Sequence, residues 1–185
     1  MINDMLTITE ESLLKELEER KIALSSINEL VVNVLAENNM KIATAESCTG
    51  GMISKRITEV SGSSAVFDCG VCSYSNEIKN KVLGVDKAVL DTLGAVSAET
   101  AMQMAKGVRL LSNSDIAVAT TGIAGPTGDT PTKPVGLVYI GISTKKGDFA
   151  VKALLAENKT NTRERVRELA TAVALYLAYK EICDN

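Results

Sequence analysis

Short apolar runs alternate with longer helical periodicities along almost the whole chain, and no other feature limits the fold as much. Residues 41–45, 65–73, 115–120, 137–143 and 149–155 are brief, hold β-branched, aromatic and small residues, and are bounded by turn formers. Between them, apolar residues return at helical spacing, as in Val31, Val34 and Leu35, in Met102, Ala105, Val108 and Leu111, and in Val166, Leu169, Ala170 and Val173. Helices that separate successive strands imply parallel crossovers. The turn at Lys145-Lys146-Gly147-Asp148 adds one antiparallel hairpin. The expected fold is α/β: a three-layer α/β/α sandwich with a mixed, mostly parallel central sheet.

At 185 residues the chain suits one domain. Residues 1–24 read as an N-terminal helical extension with Leu13, Leu14, Leu17 and Ile22 on a loose apolar face, and residues 25–185 read as the domain proper. Ser26-Ile27-Asn28-Glu29 has the pattern of a capping box. The net charge of −3, the 3% aromatic content and the absence of Trp argue against a nucleic-acid binder, which needs a basic face and stacking rings. No apolar stretch is long enough to span a bilayer, and the acidic N-terminus does not read as a leader. A cytoplasmic location without membrane contact is the expectation. An apolar-faced N-terminal helix and a late hairpin edge suit a homodimer or higher homo-oligomer.

The chemistry concentrates in Ala45-Glu46-Ser47-Cys48-Thr49-Gly50-Gly51, between a strand end and a helix start. Ligands in α/β sheets bind outside the carboxyl ends of strands. The helix start offers N–H groups for an oxyanion or a phosphate. The same residues equally suit a helix capped by Ser47 or Thr49. The chain contains no histidine, so a nucleophilic Ser47 needs another base, and lysine is the main candidate. Lys79 follows the second strand in Tyr74-Ser75-Asn76-Glu77-Ile78-Lys79, with Asn76 as the expected cap. Its amine needs burial or a cationic neighbour such as Lys81 or Arg163 to be a base near neutral pH. Spacing alone fits a solvated helix lysine as well.

Arg163 and Arg167 share one helix face, and a cation at a helix start suggests an anion nearby. The Gly/Pro/Thr-rich stretch 121–136 is long for a simple connection. Its Gly122, Gly125 and Gly128 do not form GxGxxG, and Gly50-Gly51 does not belong to GxxxxGK[ST], which disfavours dinucleotide and P-loop sites. Cys69-Gly70-Val71-Cys72 is formally CxxC but lies in an extended run, so buried reduced thiols are the simpler reading. Cys48 is the rival nucleophile. No metal or cofactor is expected.

Six segments in order, namely the run 45–51, Gly62-Ser63-Ser64, the run 74–79, Gly94-Ala95-Val96-Ser97, Thr121-Gly122-Ile123-Ala124-Gly125-Pro126 and Lys133-Pro134-Val135-Gly136, resemble the CinA C-terminal domain family. The resemblance covers about residues 25–180. Characterised members are nicotinamide-nucleotide amidohydrolases. The resemblance therefore implies hydrolysis of nicotinamide mononucleotide (NMN) to nicotinate mononucleotide and ammonia. It implies Ser47 as nucleophile, Lys79 as general base and Tyr74 as auxiliary catalytic residue. Thr49, Gly50, Gly51, Thr121, Gly122, Ile123, Ala124, Gly125 and Arg163 are then the expected substrate-binding residues, with N–H groups of Thr49–Gly51 holding the oxyanion. Where the family has Gly-Asp before the arginine, this chain has Asn161-Thr162. Family members commonly form dimers. The separate pyrophosphatase domain of longer members has no counterpart in these motifs.

Overall fold

The computed structural model describes residues 7–156 and 162–183. In chain order the elements are β1 (Thr7–Thr9), α1 (Glu10–Glu19), α2 (Ile27–Glu37), β2 (Ile42–Glu46), α3 (Met52–Thr58), β3 (Phe67–Cys72), α4 (Asn76–Leu83), α5 (Lys87–Thr92), α6 (Ala98–Ser112), β4 (Ile116–Gly122), β5 (Leu137–Thr144), β6 (Asp148–Leu154) and α7 (Arg163–Cys183). The six strands form one sheet in the order β1-β6-β5-β4-β2-β3. Only β5 runs against the others. Helices cover both faces, so the α/β sandwich and the mostly parallel sheet expected from the sequence are present.

Strand alternation assigns the two faces. Ile42, Ile116, Val118 and Ile140 join a core with Val31, Leu35, Ile53, Ile57, Leu169 and Val173 of α2, α3 and α7. Ala43, Ala45, Ala117 and Ala119 face the other way, toward Met104, Ala105 and Val108 of α6 and Leu83 of α4. Small strand residues let α6 lie close to the sheet. At Gly141 in β5 an added Cβ falls far inside van der Waals contact with the Ala101 carbonyl of α6. The hydrophobic faces thus separate a layer of α1, α2, α3 and α7 from a layer of α4, α5 and α6.

The N-terminal segment differs from the helical reading. Thr7–Thr9 is a short strand parallel to β6, so the late hairpin does not form the sheet edge; β1 does. α1 is capped by Thr9 and buries Leu13 and Leu17 in the α7-side core. Glu10 pairs with Arg165 at 2.6 Å and Glu16 with Lys180 at 2.8 Å, which fixes α1 along α7. The capping box at Ser26 does not form either. The Ser26 hydroxyl donates back to Ala23 O, and the buried Asn28 amide donates to Arg56 O of α3. A local bond back to the preceding turn took the hydroxyl that the pattern assigned to the cap.

Candidate active site

β2 and β4 run side by side as far as the pair Glu46 and Thr120, after which β4 continues to Gly122 while the chain leaving β2 turns away. Ser47 follows β2 directly. Its N–H donates to Thr120 O of β4 at 2.9 Å, which extends the strand pairing by one residue and holds the turn against the sheet. Alternation places Ser47 on the α4/α6 face, the face of Ala43 and Ala45.

β3 ends at Cys72, and Ser73 N–H donates to Glu46 O. The next element, α4, is capped by Ser75, whose hydroxyl accepts from Ile78 N–H at 3.2 Å; the expected cap, Asn76, is the first helical residue. Lys79 then comes one turn into α4, and its side chain points inward with 1% of its surface exposed. Nζ lies 3.0 Å from Ser47 Oγ, and it donates to Ser73 O at 2.7 Å and to Tyr74 O at 3.4 Å. The solvated-lysine reading is thereby excluded. Burial pushes the Lys79 amine below the ordinary lysine range, against an opposing pull from the nearby Cys48 sulfur. Burial, and not Lys81 or Arg163, is the cause. Nζ thus donates to two carbonyls and to the Ser47 hydroxyl, and when the amine is neutral the two carbonyls suffice for its two hydrogens, which frees the lone pair for the serine.

Glu46, immediately before Ser47, has no exposed surface. One carboxylate oxygen accepts from Thr49 Oγ1 at 2.7 Å, Gly51 N–H at 2.9 Å and Ile53 N–H at 3.0 Å. The other accepts from Ser54 N–H at 2.9 Å and Ser54 Oγ at 2.7 Å. The amino end of α3 is therefore closed by the protein's own carboxylate. Gly51 N–H, expected to serve an oxyanion, is spent on Glu46. The Thr49 hydroxyl, bonded to Glu46 and 2.7 Å from Thr120 Oγ1, is spent too. Neither Ser47 nor Thr49 is the local cap that sequence allowed; α3 begins only at Met52, after Gly50 and Gly51 at positive φ.

The rival nucleophile is poorly placed. Cys48 is buried, and its thiol is pushed up to about 11 by that burial, with the Glu46 charge adding to the effect. It is a thiol, not a thiolate, at neutral pH. Cys69 and Cys72 are unpaired, but the expectation of buried reduced thiols fails on burial: they lie on edge strand β3, where Cys69 is half-buried and Cys72 exposed. Among the described residues no group of three or more His, Cys, Asp or Glu side chains is placed to hold a metal ion. Nor is any described helix long and apolar enough to cross a membrane.

A second cluster borders the first. Tyr74 is 68% exposed, and its hydroxyl accepts from Arg163 Nη2 at 3.1 Å. Arg163 Nη1 donates to Gly125 O at 2.8 Å. Thr121 and Gly122 belong to the end of β4, not to a loop, and the Thr121 hydroxyl donates to Ala95 O at 2.6 Å. Ile123 and Gly136 close the base of the following loop, with Ile123 N–H on Leu137 O and Gly136 N–H on Ile123 O. Ala124 is buried there. Lys133 reaches back to Leu93 O at 2.8 Å and straps the loop to the end of α5. Ser47 and Lys79 thus meet directly, and Tyr74, Arg163 and Gly125 meet beside them.

The architecture and this site define a class: α/β/α proteins that bury a serine–lysine couple outside the carboxyl ends of parallel strands. A family model, the CinA C-terminal domain, matches residues 24–182, and the chain belongs to that family. A CinA-like protein of Shewanella pealeana is 48% identical over 164 residues, covering 89% of this chain and 37% of the relative. A protein of Thermoanaerobacter sp. (strain X514), named for competence-damage induction, is 52% identical over 139 residues, covering 75% of this chain and 34% of its own length. The chain thus spans about a third of the curated relatives it matches. Among solved structures, the competence/damage inducible protein CihA of Agrobacterium tumefaciens superposes with a TM-score of 0.79 at 37% identity, covering 83% of this chain and 92% of that one. A CinA superfamily protein of Klebsiella pneumoniae gives 0.82 at 27% identity, covering 88% and 99%.

Proposed function

We propose that the protein is an amidohydrolase that converts nicotinamide mononucleotide and water to nicotinate mononucleotide and ammonia by serine–lysine catalysis. The observation that carries this reading is the buried Lys79 amine 3.0 Å from Ser47 Oγ, where burial lowers its proton affinity. Neutral Lys79 takes the Ser47 proton directly as Oγ attacks the carboxamide carbon. N–H groups of the Cys48–Gly50 turn receive the oxyanion, where one donor is worth about 3 kcal/mol. The C–N bond breaks as protonated Lys79 returns its proton to the nitrogen, and ammonia leaves. Water, deprotonated by the same amine, attacks the nicotinoyl ester and releases the acid and Ser47.

Glu46 closes the helix end that would otherwise draw a phosphate, so the nucleotide phosphate goes to Arg163 and the loop it touches. Tyr74, held by the same guanidinium, lines the pyridine or ribose. No step needs a metal.

The test is ammonia release from NMN in the presence of a chelator. Ser47→Ala and Lys79→Met should each lower turnover by more than about a thousandfold. Cys48→Ala should keep it within about threefold, since the buried thiol takes no part. Full turnover by Ser47→Ala ends the scheme. Tight NMN binding without turnover by wild type points to a binding protein, and ammonia from other carboxamides alone points to a different amide substrate.

A further inference from the structure

The nucleophile turn is pinned at both ends by bonds that belong to the sheet and to α3. Ser47 N–H is on Thr120 O, and Gly51 N–H is on Glu46. Between these anchors lies the Thr49–Gly50 peptide. Covalent structure does little to fix its plane: Gly50 sits at φ +61°, and glycine tolerates either sign of φ, so rotating this peptide costs little. One contact does fix it. Arg167 Nη2 donates to Thr49 O at 2.7 Å, a short charge-assisted bond from a half-buried guanidinium one helical turn beyond Arg163.

In a trans peptide the C=O and the following N–H point in opposite directions. A cation that holds Thr49 O toward α7 therefore turns Gly50 N–H away from α7, toward the α4/α6 face where Ser47 and Lys79 lie. Glycine suits position 50 because of its φ of +61°, whereas an added Cβ would meet Arg167 Nη2 only at an ordinary contact distance of 3.5 Å.

We propose that Arg167 is a positioning residue of the active site: by gripping Thr49 O it orients the Gly50 N–H as an oxyanion donor. The inference rests on Ser47 being the nucleophile, not on NMN being the substrate. Arg163 and Arg167 then divide the work of one helix face. Arg163 joins Tyr74 to the Gly125 loop, while Arg167 sets the backbone of the nucleophile turn and touches no substrate.

The test uses the whole chain with two readouts. One is kcat and KM for ammonia release from NMN; the other is the rate at which phenylmethylsulfonyl fluoride modifies Ser47, located by peptide mass. Arg167→Ala should lower kcat about 10- to 100-fold, because the donor is disordered but not deleted, with KM within about threefold. Labelling of Ser47 should slow in the same proportion, since its developing sulfonyl charge needs the same donor. Arg167→Lys keeps a cation within reach and should lose less, and it decides the matter if the alanine variant does not fold. A raised KM with unchanged kcat and labelling overturns the proposal and makes Arg167 a substrate ligand. Wild-type values in both variants overturn it as well. A wild type that labels at Ser47 but ignores NMN removes the substrate reading alone, and the labelling ratio still decides this one. A Ser47 that neither labels nor turns over substrate ends both.

Discussion

Lys79 is 1% exposed, and among the described residues its amine bonds to carbonyl oxygens and the Ser47 hydroxyl but to no carboxylate. Burial disfavours its charged form, so its proton affinity falls below the ordinary 10.5. The sign follows from linkage. Between the lowered native value and 10.5 the unfolded chain binds more protons than the folded one, so stability rises with pH through that window. Below the window the full cost of holding a buried charge is present. Activity runs the same way, because only the neutral amine can accept the Ser47 proton. The expected kcat/KM profile therefore climbs with pH to a plateau, with its midpoint below 10.5. Lys79→Met, which keeps the bulk and drops the amine, should abolish turnover yet raise the urea midpoint near neutral pH, with the difference from wild type shrinking as pH rises. A profile that is flat on the acid side, or a Lys79→Met variant less stable than wild type at neutral pH, contradicts this account. At this scale the sequence was legible where side chain meets side chain. A serine, a lysine and a chain without histidine raised the couple as one option beside a helix cap and a solvated lysine, and the resemblance of the six segments singled it out. Glu46 and Arg167 were not legible as site residues, because their partners are mostly backbone N–H and C=O groups, which every residue carries. The nearest signals were the position of Glu46 directly before Ser47 and the four-residue spacing of the two arginines.

At the scale of elements, the long periodicities gave the right helices, although α6 buries Met104 and leaves Leu111 of the expected stripe 57% exposed, and short or tertiary-defined pieces were not read. The apolar runs of β4 and β5 are buried on both faces of the sheet and α7 is buried all round from Leu169 to Tyr176, so their apolar character is dictated by the core. β1 has only three residues and pairs with a strand from the far end of the chain, which leaves no local trace. Yet its segment is built into the fold. Leu13 and Leu17 are each 2% exposed and pack against the core that holds α7, and Arg165, between Arg163 and Arg167, is paired with Glu10. Leu17→Ala should therefore cost about 2–5 kcal/mol, the range of a core leucine truncation, measured as a lower urea midpoint with unchanged slope. A cost under about 0.5 kcal/mol, as at a surface site, would show α1 to be an appendage. β1 also covers the edge of β6, and an uncovered edge is a template for unwanted strand pairing. Loss of the segment should thus show as association of the protein before loss of helix content.

Across the whole molecule, Ser47 and Lys79, the two groups proposed to react, are mounted on different layers. Ser47 is fixed to the sheet through Thr120, whereas Lys79 rides on α4, which rests on α6 through Leu83. The 3.0 Å between them is therefore a measure of how closely the helix layer seats on the sheet. Sequence showed that layers exist, but a layer spacing is set by facing pairs of small residues, and those pairs are not neighbours in the chain. Gly141 is the clearest of them, because the carbonyl of Ala101 occupies the place of its missing Cβ. Gly107 repeats the device between α6 and α4, where the Leu83 carbonyl takes that place. Gly141→Ala should lift α6 and carry α4 with it. Overpacking of this kind costs about 1–3 kcal/mol of stability. The distinguishing effect is on catalysis: a base displaced by a fraction of an ångström from its nucleophile should lower kcat about 10- to 100-fold, with substrate KM little changed because Arg163 and the Gly125 loop lie outside the displaced layer. Slower labelling of Ser47 by a sulfonyl fluoride would accompany it. A Gly141→Ala protein that is destabilised but turns over at the wild-type rate would mean that α4 finds its seat on Ser47 independently of α6.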